Sequence, residues 1–252
     1  MNISTTSMPA NPNDQPTILA LETSSGACSA ALLHQGAITQ HLELAPRRQG
    51  DLLLGMLDAL LKAAELKLSE VDVIAFGQGP GAFTGVRIGT AVAQGAAFGA
   101  NRPLLGISSL AGLAHAGWRH YGGGEQRLFA AIDARIGEIY CGAFAVNGQG
   151  QAQPLGSETV TTPEKLTVPE IAVTHGVGNA WALYDEPLRA RIDLAQAQIA
   201  STIHGEAQDI AALARWSLDQ ACAAELAQPV YLRDQVAAIP GSALLDSAPV
   251  AA

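Results

Sequence analysis

The chain has 252 residues, 48% hydrophobic and only 15% charged, with 26 glycines; this describes a globular protein with a real core and excludes a disordered or fibrous one. Lys and Arg number 14 against 23 Asp and Glu, a formal charge of -9, so the basic excess that neutralises a phosphate backbone is missing and direct nucleic-acid binding is not expected. Cys28, Cys141 and Cys222 are odd in number, far apart and in no metal-ligand spacing, which argues against a disulfide framework and against a zinc site.

Met1 to Gln15 carries neither Lys nor Arg and no continuous apolar run, so it reads as a disordered lead-in and not as a secretion signal. Apolar stretches elsewhere fall short of the roughly 18 residues of a membrane span, and a cytoplasmic protein is expected. Thr17 to Thr23, Cys28 to His34 and Ala37 to Leu44 are apolar runs separated by Gly-containing turns, the pattern of an antiparallel meander. From Gln49 to Leu68, Leu53, Leu57, Leu60, Leu61, Ala64 and Leu68 recur at helical spacing among polar residues, predicting an amphipathic helix. Val71 to Phe76 reads as a buried strand, Thr84 to Ala100 as a helix, and Leu104 to Ile107 as a strand. Ser108 then caps a third helix ending near Tyr121.

Three strands followed by helix, strand, helix, strand, helix describe a sheet that starts antiparallel and continues parallel through helical crossovers. This order resembles the ribonuclease-H-like half of the actin/sugar-kinase (ASKHA) superfamily, which implies an α/β fold of two halves with mixed sheets. The expected division is a lead-in at 1–15, a first domain at 16–121, a smaller second domain at 122–240 and a flexible tail at 241–252. The second half opens after Gly122 to Gly124 with a hairpin, Gln126 to Asp133 and Glu138 to Val146, turning around Arg135 to Gly137. Weaker expectations are strands at Glu158 to Thr161 and Ile171 to Thr174, and a helix at Gln208 to Ala223.

The most informative stretch is Gly77 to Gly89, GQGPGAFTGVRIG, between a buried strand and a helix. Gly79, Pro80, Gly81, Thr84 and Arg87 form a glycine-rich loop and helix start that could face an anion or a partner, or could be a tight turn with close packing. The phosphate-loop and dinucleotide spacings are both absent. Down the helix, Gly85, Gly89, Ala93 and Ala97 recur every fourth position and leave one face almost bare, so another backbone can lie on it, either a partner's or the chain's own sheet. The stripe of Arg87, Thr90 and Gln94 reads as a solvated face.

Glu22-Thr23-Ser24 resembles the first phosphate hairpin of the superfamily, with Glu22 in place of the metal-holding aspartate, and Asp133 with Arg135 stands at the second hairpin among bulky residues. Both read as degenerate, the second as a structural turn. No G-x-S-x-G, no H-E-x-x-H and no i, i+4 histidine pair is present, so no catalytic or metal-binding set is expected.

ILALETSSGACSAALL, AFGQGPGAFTGVRIG with its helix TAVAQGAAFGAN, AAIDARIGEIYCGAF and the late PVYLRDQVA together resemble the TsaB family, also called YeaZ, from Ile18 to about Ala237. The resemblance implies a non-catalytic scaffold subunit of the assembly that attaches a threonylcarbamoyl group to the adenosine beside the anticodon of tRNAs reading codons that begin with A. Its implied partners are the catalytic subunit TsaD and the ATPase TsaE, met through the first-domain helices, with a homodimer on the same surface when alone. The tRNA is reached only through the complex, no membrane is involved, and no cofactor is held alone, which leaves ATP or ADP at the joint with TsaD and TsaE. The H-x-x-x-H metal pair of TsaD has no counterpart in Arg47 to Asp51. Two readings of another class stand beside it: an independent sugar-kinase-like phosphotransferase or ATPase, and a protease acting on its partner.

Overall fold

A computed structural model describes residues 15–44, 48–167, 172–195 and 198–233. The lead-in up to residue 14, the tail beyond 240 and Arg47 lie outside the described residues. The first sheet holds β1 (Ile18–Glu22), β2 (Cys28–His34), β3 (Ala37–Glu43), β4 (Val73–Gly77) and β5 (Leu104–Ile107) in the order β3-β2-β1-β4-β5. β2 runs antiparallel to its neighbours β1 and β3, while β4 and β5 run parallel to β1, as the element order predicts. Because β1 and β4 are covered on both faces, they read as unbroken apolar runs. Leu19, Leu21, Ile74 and Phe76 point to the layer of α1 (Gln49–Ala63) and α2 (Phe83–Ala100). Ile18, Ala20, Val73 and Ala75 point the other way, onto Ile210, Ala211 and Ala214 of α6 (Ala207–Ala214).

The second sheet follows the order β11-β10-β6-β7-β8, from β6 (Gln126–Arg135), β7 (Glu138–Val146), β8 (Ala152–Pro154), β10 (His175–Val177) and β11 (Ile199–Ala200), with β9 (Thr159–Thr161) also on β7. One face packs on Leu110, Leu113 and Ala114 of α3 (Ser109–His120). The other packs on Trp181 of α4 (Ala180–Leu183) and Leu188 of α5 (Asp185–Arg189). Ser108 does cap α3, accepting hydrogen bonds from the backbone N–H groups of Leu110 and Ala111. Between the sheets α3 meets α6 at the buried Asp209 carboxylate, which lies 2.7 Å from His115 Nδ1 and accepts two hydrogen bonds from Arg119.

Several boundaries differ from expectation for identifiable reasons. The first helix stops at Ala63 because Glu65 turns left-handed (φ 57°), with the N–H of Leu66 on Leu61 and that of Glu65 on Lys62, a Schellman closure. The last helix stops at Ala214, and Cys222 then pairs with Leu104 on β5. A sheet contact has overridden helical periodicity there. The strand expected from Ile171 begins instead at His175, and Ile171 is outside the described residues. From the second half of the chain, α6 and the core residues Ala224 and Ala227 complete the packing of the first sheet.

The approach of α2 to the sheet depends on missing side chains. A Cβ on Gly85 would lie 2.0 Å from the carbonyl oxygen of Thr23, whereas one on Gly95 would meet nothing within 4 Å. Gly85→Ala is therefore expected to cost about 2 kcal/mol or more in overpacking. Gly95→Ala should be neutral or stabilising by up to ~1 kcal/mol. Urea unfolding of the two variants checks this, and equal effects would contradict the packing described.

Candidate partner face and inter-sheet cleft

Glu22 ends β1 at 2% exposure. Its Oε1 accepts from the N–H of Ser24 at 2.6 Å and its Oε2 from the Ser109 hydroxyl at 2.8 Å. Gly77 lies so close that a Cβ there would fall 2.0 Å from Oε2. Burial pushes the carboxyl above its ordinary 4.5, against the hydrogen bonds that pull it down. Ser109 in turn accepts from the N–H of Gly79, and Thr23 donates its hydroxyl to the carbonyl of Gly85 at 2.8 Å. The carboxylate and the hydroxyl that a phosphate hairpin would offer to ligand thus tie β1 to the glycine loop, α3 and α2.

The small-residue face of α2 is not a free surface. Gly85, Gly89, Ala93 and Ala97 are all buried, and a Cβ on Gly89 would lie 2.5 Å from Thr23 Oγ1 and 3.5 Å from Leu21. Placing a partner on these four residues is therefore corrected: they seat the helix on its own sheet. Nor is the Arg87, Thr90, Gln94 stripe simply solvated. Thr90 is buried and donates to Val86, and Gln94 donates to the carbonyl of Ala227. What faces outward is a second stripe, Thr84, Arg87, Ala91, Gly95, Phe98 and Gly99, with Phe98 78% exposed. Beside it in the same layer, α1 exposes Leu54 at 60% and Gly55. The spacing of Ala91, Gly95 and Gly99 is the signal in the sequence that could have found this face.

The second hairpin turns through Ile136 and Gly137, both left-handed, after a bulge at Asp133 to Arg135. Asp133 is held by the Arg135 guanidinium at 3.1 Å and by the backbone N–H of Arg135, and it accepts from the Tyr184 hydroxyl. Ile136 is 87% exposed at φ 55°, a strained conformation for a β-branched residue.

Between the hairpins lies a cleft of about 540 Å³, walled by Ser24, Pro80, Val86, Ile132, Asp133 and Tyr140. Residues 227–233 bridge it. The N–H of Val230 donates to Gln78, Tyr231 accepts from Arg87 at 2.9 Å, and Arg233 donates to Ala134 and pairs with Glu138. Arg87 also stacks on Phe83, 3.7 Å from the ring centre. Of the loop residues, Gly79 (φ 95°) packs against Val230, Gly81 against Ser24, and Pro80 lines the cleft, while Thr84 is exposed. The superfamily's magnesium nucleotide does not fit these residues. Glu22 is sealed away, Asp133 is already paired, and the guanidinium groups of Arg87, Arg135 and Arg233 are all engaged.

The sheet order and paired hairpins define an α/β protein of the actin/sugar-kinase type with a cleft between its hairpins. The family model for TsaD, tRNA N6-adenosine threonylcarbamoyltransferase, matches residues 41–240. The chain is 35% identical over 231 residues to the tRNA threonylcarbamoyladenosine biosynthesis protein TsaB of Escherichia coli K12, covering 87% of this chain and 96% of that one. It is likewise 35% identical to TsaB of Haemophilus influenzae Rd over 229 residues, 87% and 94% of the two chains. The solved structure of YeaZ from Pseudomonas aeruginosa superposes with a TM-score of 0.78 at 43% identity, over 86% of this chain and all of that one. The chain belongs to the TsaB family.

Two outcomes follow from the hairpins. A carboxyl whose pKa is raised by folding contributes stability that is fully present below the unfolded value of 4.5 and is lost as pH rises through the folded one. Glu22→Gln removes that loss, so the stability of the variant relative to the parent should climb as pH rises above 4.5. Chemical denaturation at a series of pH values from 4.5 upward checks it, and a constant difference would contradict the buried carboxyl. Ile136→Asn, which suits the left-handed turn, should raise stability by about 1 kcal/mol in the same assay.

Proposed function

We propose that this chain is a non-catalytic subunit of the assembly that attaches a threonylcarbamoyl group to the adenosine beside the anticodon of tRNAs reading codons that begin with A. It pairs with TsaD through the outward surface of α1 and α2, TsaE joins that pair, and in the absence of TsaD a homodimer uses the same surface. Nucleotide, where it enters, sits at the joint with the partners and not in the cleft. The names of the relatives support the pathway, and the engaged carboxylates and guanidiniums of the cleft support the non-catalytic role.

One observation carries the pairing. The outward stripe of α2 is small at Ala91, Gly95 and Gly99 and apolar at Phe98, beside Leu54 of α1, a bare surface that lets another helix approach closely. A net charge of -9 suits a basic companion and leaves tRNA contact to it. The kinase-like reading draws no support from a buried Glu22.

Gly95→Arg places a long cation where a Cβ meets open space, so the fold should survive while capture of the TsaD partner falls at least ~100-fold. Co-purification and a thermal melt measure the two effects. Undiminished capture by a folded variant would contradict the proposed face.

A further inference from the structure

At one end of the first sheet β3 forms an outer edge, and all of its residues except Gln40 are exposed. It joins β2 through a two-residue turn, Gln35-Gly36, with both residues left-handed, so His34 and Ala37 exchange both of their backbone hydrogen bonds. By alternation Thr39, His41 and Glu43 also bond inward to β2. The N–H and C=O groups of Ile38, Gln40 and Leu42 therefore point outward, and among the described residues nothing pairs with them. Proteins usually blunt such an edge with Lys, Pro, a bulge or brevity. This one runs seven residues, AITQHLE, with no Lys, Arg or Pro and no shift of register against β2.

The edge is also its own complement. About a two-fold axis at Gln40, an antiparallel second copy sets Gln40 opposite its mate and Ile38 opposite Leu42, which are the residues with outward backbone groups. Ile38 and Leu42, 37% and 41% exposed, would cover one another on one face of the joined sheet. Thr39 falls opposite His41 and Ala37 opposite Glu43, so the carboxylate of the strand faces a methyl and no like charges are opposed. We propose that a second copy of this chain pairs along β3 in this register, fusing two five-stranded sheets into one. This surface is separate from the α1–α2 face and does not rest on the function proposed for it.

The test uses the full chain carrying Gly95→Arg, so that the helical face cannot contribute. Sedimentation velocity from ~10 to ~500 µM, the range of a small interface, should show monomer giving way to dimer. Salt of ~0.3 M screens the repulsion of two chains of charge -9. Adding Leu42→Pro removes an outward donor without touching a bond to β2 and should weaken the dimer at least ~10-fold. Thr39 and His41 of the two copies form a non-hydrogen-bonded pair, with Cα atoms about 4.5 Å apart and within disulfide reach. Thr39→Cys with His41→Cys, in a Cys222→Ser background, should oxidise to a covalent dimer, while Thr39→Cys alone should not. A chain that stays monomeric, whether the edge is free or residues 1–14 of the same chain take it, overturns the proposal. So does a dimer indifferent to Leu42→Pro, or the absence of a covalent dimer from the double cysteine variant.

Discussion

The close approach of α2 to the turn after β1 is the constraint on which the rest depends. Gly85 and Gly89 let the helix sit against Thr23, whose hydroxyl closes the contact by donating to the Gly85 carbonyl. With the helix seated there, Gly79 and Ser109 fall beside the Glu22 carboxylate, and the segment from Ala227 to Arg233 can lie along α2 and across the cleft. The same contact fixes the rotation of α2 about its axis. It decides which stripe is sealed and which one meets solvent.

Much of this architecture was legible in the letters. The antiparallel-then-parallel order follows from where the helical periodicity begins, and the cap at Ser108 and the hairpin around Arg135 to Gly137 stand where turn chemistry puts them. The failures have a common cause in long-range contacts. Gly85, Gly89, Ala93 and Ala97 look as bare as Ala91, Gly95 and Gly99, and periodicity cannot say which stripe the sheet will take. Cys222 leaves the helical pattern to pair with Leu104, and β8 is only three residues long, too short to register as a run.

At the hairpins the fold has kept its geometry while its polar groups serve other ends. Glu22 holds two protein donors in a dry setting, Asp133 holds Arg135 and Tyr184, and Arg233 joins the second hairpin to the strap that crosses the cleft. These groups are all taken up by contacts within the chain. A buried carboxylate in this role is costly alone, and its two hydrogen bonds offset part of that cost. The protein gains a defined cleft wall.

Cysteine accessibility on α2 tests the central claim most directly. Gly95→Cys should react with a maleimide at the rate of an exposed thiol in the isolated monomer and become protected when the TsaD partner is added, while Thr84→Cys, nearer the cleft, gauges how far protection extends. A cysteine at position 95 that is labelled equally fast in the saturated complex would mean that the partner does not touch this face.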